Sequence, residues 1–442
     1  MQDKKYIIEG GQELNGTVTV QSAKNAINKQ LVASVLTDEP CILENIPHIT
    51  EVDGTLAMLG EIGTAYEWLD DKTLLVQTPH IAANLVPQEY SGFNRIPILM
   101  LGPLLHRAES VTVPVVGGDD IGKRPVNFHI DALTSMGVEI KHDTESYTAS
   151  VGRIKGTMIE LPFPSVMATE NVLMTATLAE GTTVIKNAAI EPEVIDTILF
   201  LQKMGALIRV DVDRKIIIEG VEKLHGARHR PISDRIEVAS WAAAALATNG
   251  KITIRNAQQQ YMITFLNSLR KVGGGFEVND EGISFFRERD DLSPIHIETD
   301  VHPGFMTDWQ QPFVVMLTQA EGVSIIHETV YENRFGYTEA LVDMGANIDL
   351  TNACLGSKFC RYKDRDHKHS AIIRGKTALQ GHHVEIPDLR AGFAYLVAAL
   401  VAEGTSELTN IRYMERGYAS LPEKLQAIGA TLQVVDHPLE TA

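Results

Sequence analysis

The sequence predicts an α/β protein of two domains, each built from three β-α-β units. The main observation is a sixfold internal repeat, whose turns lie at Pro40, Ser110, Gly181, Gly250, Gly322 and Gly404. Successive turns are 70, 71, 69, 72 and 82 residues apart, a regularity that chance similarity would not maintain five times. The second observation is the length of 442 residues, which at about 150 residues per domain favours two or three domains.

Each repeat shows the pattern of a strand, a loop, a helix and a second strand. The four clearest repeats span residues 176–210, 244–278, 316–350 and 399–434. Ile252 and Ile254 alternate with polar residues, as in a half-buried strand. One helical face is predicted for Tyr418, Leu421, Leu425 and Ile428.

A glycine follows each predicted helix, where the left-handed conformation of the residue after a helix favours glycine. These glycines are Gly63, Gly137, Gly205, Gly274, Gly345 and Gly429. Six stacked repeats in an open solenoid are the alternative. A period of about 70 residues is longer than the ~20–50 of most solenoids, so it favours compact domains with three units each.

The charge balance excludes several classes of partner. The 39 Lys and Arg residues against 57 Asp and Glu give a net charge of −18, which repels nucleic acids and anionic membranes. No apolar run reaches the roughly 18 residues of a membrane helix, and the N-terminus lacks the apolar region of a signal peptide. A cytoplasmic protein is therefore expected.

The cysteines are few and odd in number, as is typical of a reducing compartment. They are Cys41, Cys354 and Cys360. The latter two lack a Cys or His pair at a convincing zinc spacing, and the nearby His367 and His369 are expected to be polar loop residues. No metal site is therefore expected.

Basic residues recur in comparable loops of the repeats. They are Lys24, Arg95, Arg124, Arg334, Arg390 and Arg416. Taken singly, each is explained by a surface ion pair, and the glycine-rich stretch at 117–125 by a turn. A chain of net charge −18 that concentrates arginines in equivalent loops is instead expected to bind a small anion, a phosphate or carboxylate. The sequence contains no phosphate-binding P-loop and no dinucleotide fingerprint.

Seven motifs resemble those of the enolpyruvyl transferases, and they follow the order of that family from residue 6 to 435. They are Ala23-Lys24-Asn25-Ala26, residues 118–125, Asp234-Arg235-Ile236-Glu237, Thr307-Asp308, Glu332-Asn333-Arg334-Phe335, Asp388-Leu389-Arg390 and Arg416-Gly417-Tyr418. The shikimate-pathway synthase shares the fold, but the serine that follows its lysine is absent here because Asn25 follows Lys24.

The resemblance implies a two-domain inside-out α/β barrel of six β-α-β repeats. Residues 1–22 and 233–442 would form one discontinuous domain, and residues 23–232 the domain that bears the catalytic loop. The implied reaction moves the enolpyruvyl group of phosphoenolpyruvate to the 3′-hydroxyl of UDP-N-acetylglucosamine, without cofactor or metal, in peptidoglycan precursor synthesis. A monomer is compatible with the sequence.

The resemblance also implies roles for individual residues. Asp308 matches the base beside the sugar hydroxyl, although a carboxylate that caps the following helix is the alternative. Lys24 is a catalytic cation that binds phosphoenolpyruvate with Arg124 and Arg416, and Asn25 orients the intermediate. The other substrate-binding residues are Arg95, Arg334, Arg390 and, on the nucleotide side, Pro125, Val126, Asn127, Phe128, Phe163, Pro164, Ser165, Val166 and Val330.

Several positions depart from the family pattern. Asp119 stands where many members carry the cysteine that is alkylated by fosfomycin, so it is the expected proton donor of a fosfomycin-insensitive enzyme. Asn127 and Met167 replace an aspartate and a glycine on the nucleotide side. These changes leave two alternatives: transfer to another uridine nucleotide in antibiotic biosynthesis, or a catalytically silent paralogue that binds a nucleotide sugar. Polar residues at 28–30 also replace apolar ones in the first helix.

Overall fold

The computed structural model describes residues 3–92, 94–118, 125–357 and 360–437. Within these ranges the chain divides into two compact units. The first unit comprises residues 3–21 and 233–437, and the second comprises the described residues between 22 and 232. None of the described helices combines the length and apolar character that crossing a membrane requires.

The strands are short and are distributed along the whole chain. They are β1 (Asp3–Glu9), β2 (Asn15–Thr19), β3 (Cys41–Leu43), β4 (Ala65–Trp68), β5 (Leu74–Gln77), β6 (Ser110–Pro114), β7 (Glu139–His142), β8 (Ser146–Ser150), β9 (Met158–Glu160), β10 (Thr182–Lys186), β11 (Leu207–Asp211), β12 (Lys215–Glu219), β13 (Arg228–His229), β14 (Lys251–Arg255), β15 (Gly274–Asn279), β16 (Gly282–Arg287), β17 (His296–Glu298), β18 (Gly322–His327), β19 (Asn347–Thr351), β20 (Ser370–Gly375), β21 (His383–Glu385), β22 (Thr405–Thr409) and β23 (Thr431–His437).

The helices alternate with these strands. They are α1 (Lys24–Ala33), α2 (Thr50–Glu61), α3 (Leu101–Leu105), α4 (Asn127–Ser135), α5 (Val166–Ala176), α6 (Pro192–Lys203), α7 (Arg235–Ala247), α8 (Ile263–Val272), α9 (Gln310–Thr318), α10 (Thr338–Asp343), α11 (Leu389–Val401), α12 (Arg412–Glu415) and α13 (Leu421–Ala427). Single 3₁₀ turns span Ser34–Leu36, Gln88–Tyr90, Ile96–Met100, Gln259–Tyr261 and Thr307–Trp309.

The described strands pair into six sheets, three in each unit. The first unit contains β21-β22-β1-β23, β15-β16-β14-β2 and β17-β18-β20-β19, and the second contains β13-β3-β5-β4, β6-β8-β7 and β11-β12-β10-β9. In every four-stranded sheet, two strands run parallel, and one of them pairs antiparallel with a third strand, which in turn pairs antiparallel with the fourth. This common topology confirms the prediction of six β-α-β repeats, three to a domain, and excludes the open solenoid.

The helices of the first unit that lie inside the sheets are buried on all sides. Every residue of α7 and of α9 is buried, and α11 is buried from Leu389 to Leu400. The three helices pack against one another, and the rings of Trp241 and Phe393 meet edge to face at 5.0 Å. Because these segments are apolar around their whole circumference, they favour the interior, and the sheets lie outside them. The arrangement is the expected inside-out barrel.

The glycines after the helices adopt the left-handed conformation at five of the six expected positions, with φ between 84° and 105°. The exception is the fourth repeat, where Gly273 rather than Gly274 has positive φ, at 104°. Gly274 begins β15 instead. It must be glycine for another reason, because a Cβ there would lie 2.5 Å from the side chains of Leu246 and Leu269.

The polar residues of the first helix are buried, and each has a partner. The Asn28 side-chain oxygen accepts a hydrogen bond from Thr55 at 3.3 Å, and Gln30 donates to Asp196 at 2.7 Å. The Lys29 ammonium lies 3.7 Å from Glu170 and donates to the Asn25 carbonyl at 2.5 Å. The departure of residues 28–30 from an apolar pattern is therefore compensated by polar groups on neighbouring segments.

Glu170 provides a test of this buried network. Burial raises its pKa to about 7 although Lys29 opposes the shift. The folded state therefore holds the proton more tightly than the unfolded state, so this contribution to stability is largest below pH 4.5 and is lost as the pH rises towards 7. We expect wild type to lose up to about 3 kcal/mol of unfolding free energy over this range relative to Glu170→Gln, at about 1.4 kcal/mol per pKa unit.

The measurement is urea unfolding at pH 5 and pH 7.5. Glu139→Gln, in an exposed position of β7, is the matched control and should follow wild type. The same pH dependence in Glu170→Gln and wild type would contradict the assignment.

Candidate active site

Asp308 lies between two buried arginines at the start of α9. One carboxylate oxygen accepts a hydrogen bond from Nη2 of Arg334, and the other lies 3.4 Å from Nε of Arg390. The side chains of Arg334 and Arg390 are 3% and 6% exposed, whereas that of Asp308 is 18% exposed. The carboxylate is therefore the member of this cluster that solvent or a ligand can reach.

The alternative role of Asp308, capping the following helix, is wrong. The N-cap residue of α9 is Trp309, and no side chain caps that helix. The equivalent helices are capped differently: Asp234 accepts hydrogen bonds from two backbone N–H groups of α7, and Asp388 does the same for α11. The Asp308 carboxylate near the start of α9 thus binds arginines, whereas the carboxylates of Asp234 and Asp388 stabilise the ends of their helices.

Neighbouring polar groups hold both arginines in place. The Gln311 amide oxygen accepts from Arg334 Nη2 at 3.0 Å and Nε at 2.8 Å when it faces the guanidinium. Arg390 Nη1 donates to the Tyr418 hydroxyl at 2.8 Å. Burial raises the pKa of Tyr418 to about 12 although Arg390 opposes the shift, so the hydroxyl stays neutral.

Glu328 organises the loop that leads to Arg334. One carboxylate oxygen accepts from the backbone N–H groups of Val330 and Tyr331, at 2.6 and 2.9 Å. The other accepts from Thr307 at 2.9 Å and from Gln310. Glu328 thus links the Val330 segment to the turn that carries Asp308. Burial raises its pKa.

Sequence reasoning missed three of these residues. Gln311 and Glu328 carry no signal beyond being polar residues in apolar surroundings. Tyr418 was placed on a helical face, but α13 begins at Leu421, so Tyr418 lies before the helix and its hydroxyl is free to reach Arg390. Arg416, in the same motif, follows α12 directly and is half-buried.

In the second unit, Lys24 is the first residue of α1. Its ammonium lies 3.5 Å from a carboxylate oxygen of Glu51, which is buried. The other Glu51 oxygen accepts from the Asn94 amide at 3.1 Å, and Arg95 follows Asn94. The structure therefore joins Lys24 to a polar cluster whose carboxylate, Glu51, the sequence did not indicate. Asn25 and Arg95 are chain neighbours of Lys24 and Asn94.

The residues expected on the nucleotide side lie at the starts of two neighbouring helices. Val126 and Ser165 are the N-cap residues of α4 and α5, and Asn127 and Val166 are their first residues. Backbone N–H groups at helix N-termini favour anionic groups such as phosphates. The remaining expected residues flank these starts: Pro125, Phe128, Phe163 and Pro164.

A buried hydrogen bond joins α4 to α5 next to these starts. His129 Nδ1 lies 3.0 Å from the Asn171 amide nitrogen. Burial, with the charge of Arg95, lowers the pKa of His129 to about 3, so the ring is neutral and accepts this bond. The expected site residues Asp119 and Arg124 lie outside the residues that the structure describes.

Comparison with known proteins decides the family. The family described as EPSP synthase (3-phosphoshikimate 1-carboxyvinyltransferase) matches residues 8–425. The chain belongs to this family of enolpyruvyl transferases. The resemblance predicted from the sequence motifs is therefore confirmed.

Two curated relatives of this enolpyruvyl transferase carry the same name. A protein of Protochlamydia amoebophila (strain UWE25) is 50% identical over 97% of this chain and 94% of its own, and is named UDP-N-acetylglucosamine 1-carboxyvinyltransferase. A protein of Chlamydia pneumoniae with the same name is 49% identical over 96% of this chain and 93% of its own.

Solved structures confirm the fold. The enolpyruvyl transferase NikO from Streptomyces tendae matches 99% of this chain and 100% of its own with a TM-score of 0.86, at 21% identity. An EPSP synthase from Acinetobacter baumannii matches 98% of this chain and 100% of its own with a TM-score of 0.73, at 17% identity.

Because the arginines of the Asp308 cluster are buried, removal of the Asp308 carboxylate is expected to destabilise the protein. In Asp308→Ala, two buried guanidinium groups lose their carboxylate, so we expect a loss of about 3 kcal/mol in the free energy of unfolding. Asp349→Ala is the matched control, because Asp349 pairs with Arg374 on the surface and such pairs contribute less than about 1 kcal/mol. Urea unfolding measures both, and equal losses would contradict the buried pairing.

Proposed function

We propose that this protein transfers the enolpyruvyl group of phosphoenolpyruvate to the 3′-hydroxyl of UDP-N-acetylglucosamine and releases phosphate. This is the first committed step of peptidoglycan precursor synthesis. The proposal is supported by the relatives of that name, which are half identical over nearly the whole chain. The geometric observation that carries it is the partly exposed Asp308 carboxylate between two buried arginines.

The reaction is an addition followed by an elimination, and each step requires a positioned group. In the first step, Asp308 takes the proton of the 3′-hydroxyl, and the hydroxyl oxygen forms a bond to C2 of phosphoenolpyruvate. An acid protonates the methylene carbon at the same time. In the second step that carbon loses a proton, the double bond reforms and phosphate leaves. The ion pairs of Asp308 hold the carboxylate in place, as a positioned base requires.

Cationic side chains supply the charge that the phosphate and carboxylate groups of phosphoenolpyruvate need. We assign this role to Lys24, Arg124 and Arg416, with Arg95 and Arg390 nearby in sequence motifs. In the second unit, Glu51 and Asn94 hold Lys24 at the start of α1. We assign the first unit to the base and the second to the catalytic loop.

The nucleotide is assigned to the starts of α4 and α5. Backbone N–H groups at helix starts suit a diphosphate. In α5 the Ser165 side chain accepts from the N–H of Ala168, and the exposed Asn127 of α4 stands where the resemblance places the uracil contact. Val330 is assigned to the sugar side, because Glu328 fixes its backbone close to the turn that carries Asp308. Cytoplasmic location and a monomeric state remain predictions.

The first prediction of this proposal concerns which acceptor substrate supports turnover. In a phosphate-release assay with phosphoenolpyruvate, we expect turnover with UDP-N-acetylglucosamine and none with UMP or shikimate 3-phosphate.

The same assay tests the base. Asp308→Asn keeps the size of the side chain but removes the base, so it should slow phosphate release by ~10²–10⁴-fold.

The outcomes separate the alternatives. Turnover with UMP alone would favour the antibiotic-pathway reaction, and turnover with shikimate 3-phosphate alone would favour the sister enzyme. Binding of UDP-N-acetylglucosamine without phosphate release from any acceptor would favour the silent paralogue. Undiminished turnover in Asp308→Asn would remove Asp308 from the mechanism.

A further prediction of this proposal concerns the proton donor. We assign this role to Asp119, which needs a raised pKa because a carboxyl at its reference value of ~3.9 is protonated only about 0.1% of the time at pH 7. A carboxylate is a much poorer nucleophile than a thiolate. We therefore expect activity to survive preincubation with fosfomycin in wild type and to be lost irreversibly in Asp119→Cys. Rapid irreversible loss in wild type would contradict the assignment.

A further inference from the structure

Four side chains that can bind a metal ion converge at one end of the sheet β17-β18-β20-β19. His327 ends β18, Cys354 and Cys360 follow β19, and His369 precedes β20. One ligand atom from each lies within 4.8 Å of those of the other three. The strand register explains the convergence, because Ser370 pairs with His327 on one side and with Thr351 on the other.

The hydrogen bonds of His369 leave one ring nitrogen available to a metal. Its Nδ1 lies 2.6 Å from the carbonyl oxygen of His367. A carbonyl only accepts hydrogen bonds, so Nδ1 carries the proton and Nε2 carries a lone pair. That Nε2 lies 3.4 Å from the sulfur of Cys354.

The same reasoning applies to His327. Its Nδ1 lies 2.8 Å from the Ser370 hydroxyl, and that hydroxyl donates its own proton to the Ala353 carbonyl at 2.7 Å. Nδ1 is therefore the donor, and Nε2 carries the lone pair. Among the described residues, this buried Nε2 has no hydrogen-bond partner. Both histidines thus have the outer hydrogen bonds that orient metal-binding imidazoles.

Other arrangements of the four groups leave polar atoms unsatisfied. A disulfide between Cys354 and Cys360 would remove both thiols and leave two imidazole lone pairs unpaired. With the Cys354 thiol at His369, Nε2 of His327 is buried without a hydrogen-bond partner among the described residues. Such a buried atom costs about 1–3 kcal/mol. A tetrahedral metal ion uses all four groups.

We propose that His327, Cys354, Cys360 and His369 bind a structural Zn²⁺ ion. Two thiolates and two imidazoles are a preferred zinc set, and bond lengths of ~2.0–2.3 Å in a tetrahedron place ligand atoms roughly 3.3–3.8 Å apart. The separation of 3.4 Å between Cys354 and His369 already falls in this range. Four protein ligands leave no open position, so the ion is structural rather than catalytic.

The ion would fix the loop between β19 and β20 to the end of the sheet. It would also brace the site indirectly, because Glu328 follows His327 and holds the Val330 segment and Thr307. Sequence spacing could not reveal the set, since His327 ends β18, on the other side of α10, and Cys354 and Cys360 are not closely paired.

The test is the metal content of the tag-free, full-length chain, purified in the presence of reductant and without chelator. We expect one zinc per chain by mass spectrometry in wild type and in Cys41→Ser. Cys41 is the matched control because it is a buried cysteine in the other unit. Cys354→Ser, which changes the most exposed of the four ligands, should retain less than a tenth of the zinc.

A cobalt titration of wild type tests the site independently of Cys354→Ser. Chelator-stripped wild type titrated with Co²⁺ should saturate at one equivalent, with the visible bands of tetrahedral cobalt and a thiolate-to-cobalt charge-transfer band in the near ultraviolet. In His369→Cys the charge-transfer band should grow, because a third thiolate binds. Octahedral cobalt in wild type, zinc retained equally in Cys354→Ser, or a Cys354–Cys360 disulfide in the metal-free reduced preparation would overturn the proposal.

Discussion

The pairing of Asp308 with two buried arginines is the interaction on which the proposed chemistry depends. Charges removed from water are stable only when paired and hydrogen-bonded, and the three groups meet this need through one another. Gln311 and Tyr418 satisfy further guanidinium N–H groups. A base held in this way cannot turn away from its position.

The inside-out architecture explains why the charged groups lie at helix starts. Helices that are buried on all sides can present polar groups only at their ends, where backbone N–H groups need partners. Asp234 and Asp388 meet that need for α7 and α11. At α9 the repeat departs from this pattern, and there the carboxylate binds arginines instead. A change in one of three equivalent helix starts therefore converts a structural position into a chemical one.

The second unit solves the problem differently at α1, which begins with Lys24 and carries buried polar residues inside the helix. These residues, at positions 28–30, contact Thr55, Glu170 and Asp196, respectively. The Lys29 ammonium also holds the carbonyl of Asn25, so the network supports the start of the helix. Polar residues inside the core thus position the end that carries the proposed substrate contacts.

The sequence predicted the repeat because its period depends on turns and glycines, which are local features. It misplaced the left-handed residue at Gly274, since adjacent glycines meet that local requirement equally and α8 ends at Val272, so that Gly273 follows the helix. Tyr418 was assigned to a helix because its spacing fits, although α13 begins later. Glu51 and His327 were missed because their partners are distant in the chain, and no local pattern encodes such pairs.

The most direct test of the central claim is a crystal structure of this chain with bound UDP-N-acetylglucosamine. We expect the Asp308 carboxylate to lie about 2.6–3.2 Å from the 3′-hydroxyl, the reach of a general base, with its contacts to Arg334 and Arg390 retained. A nucleotide sugar bound with its 3′-hydroxyl beyond the reach of Asp308 would contradict the claim.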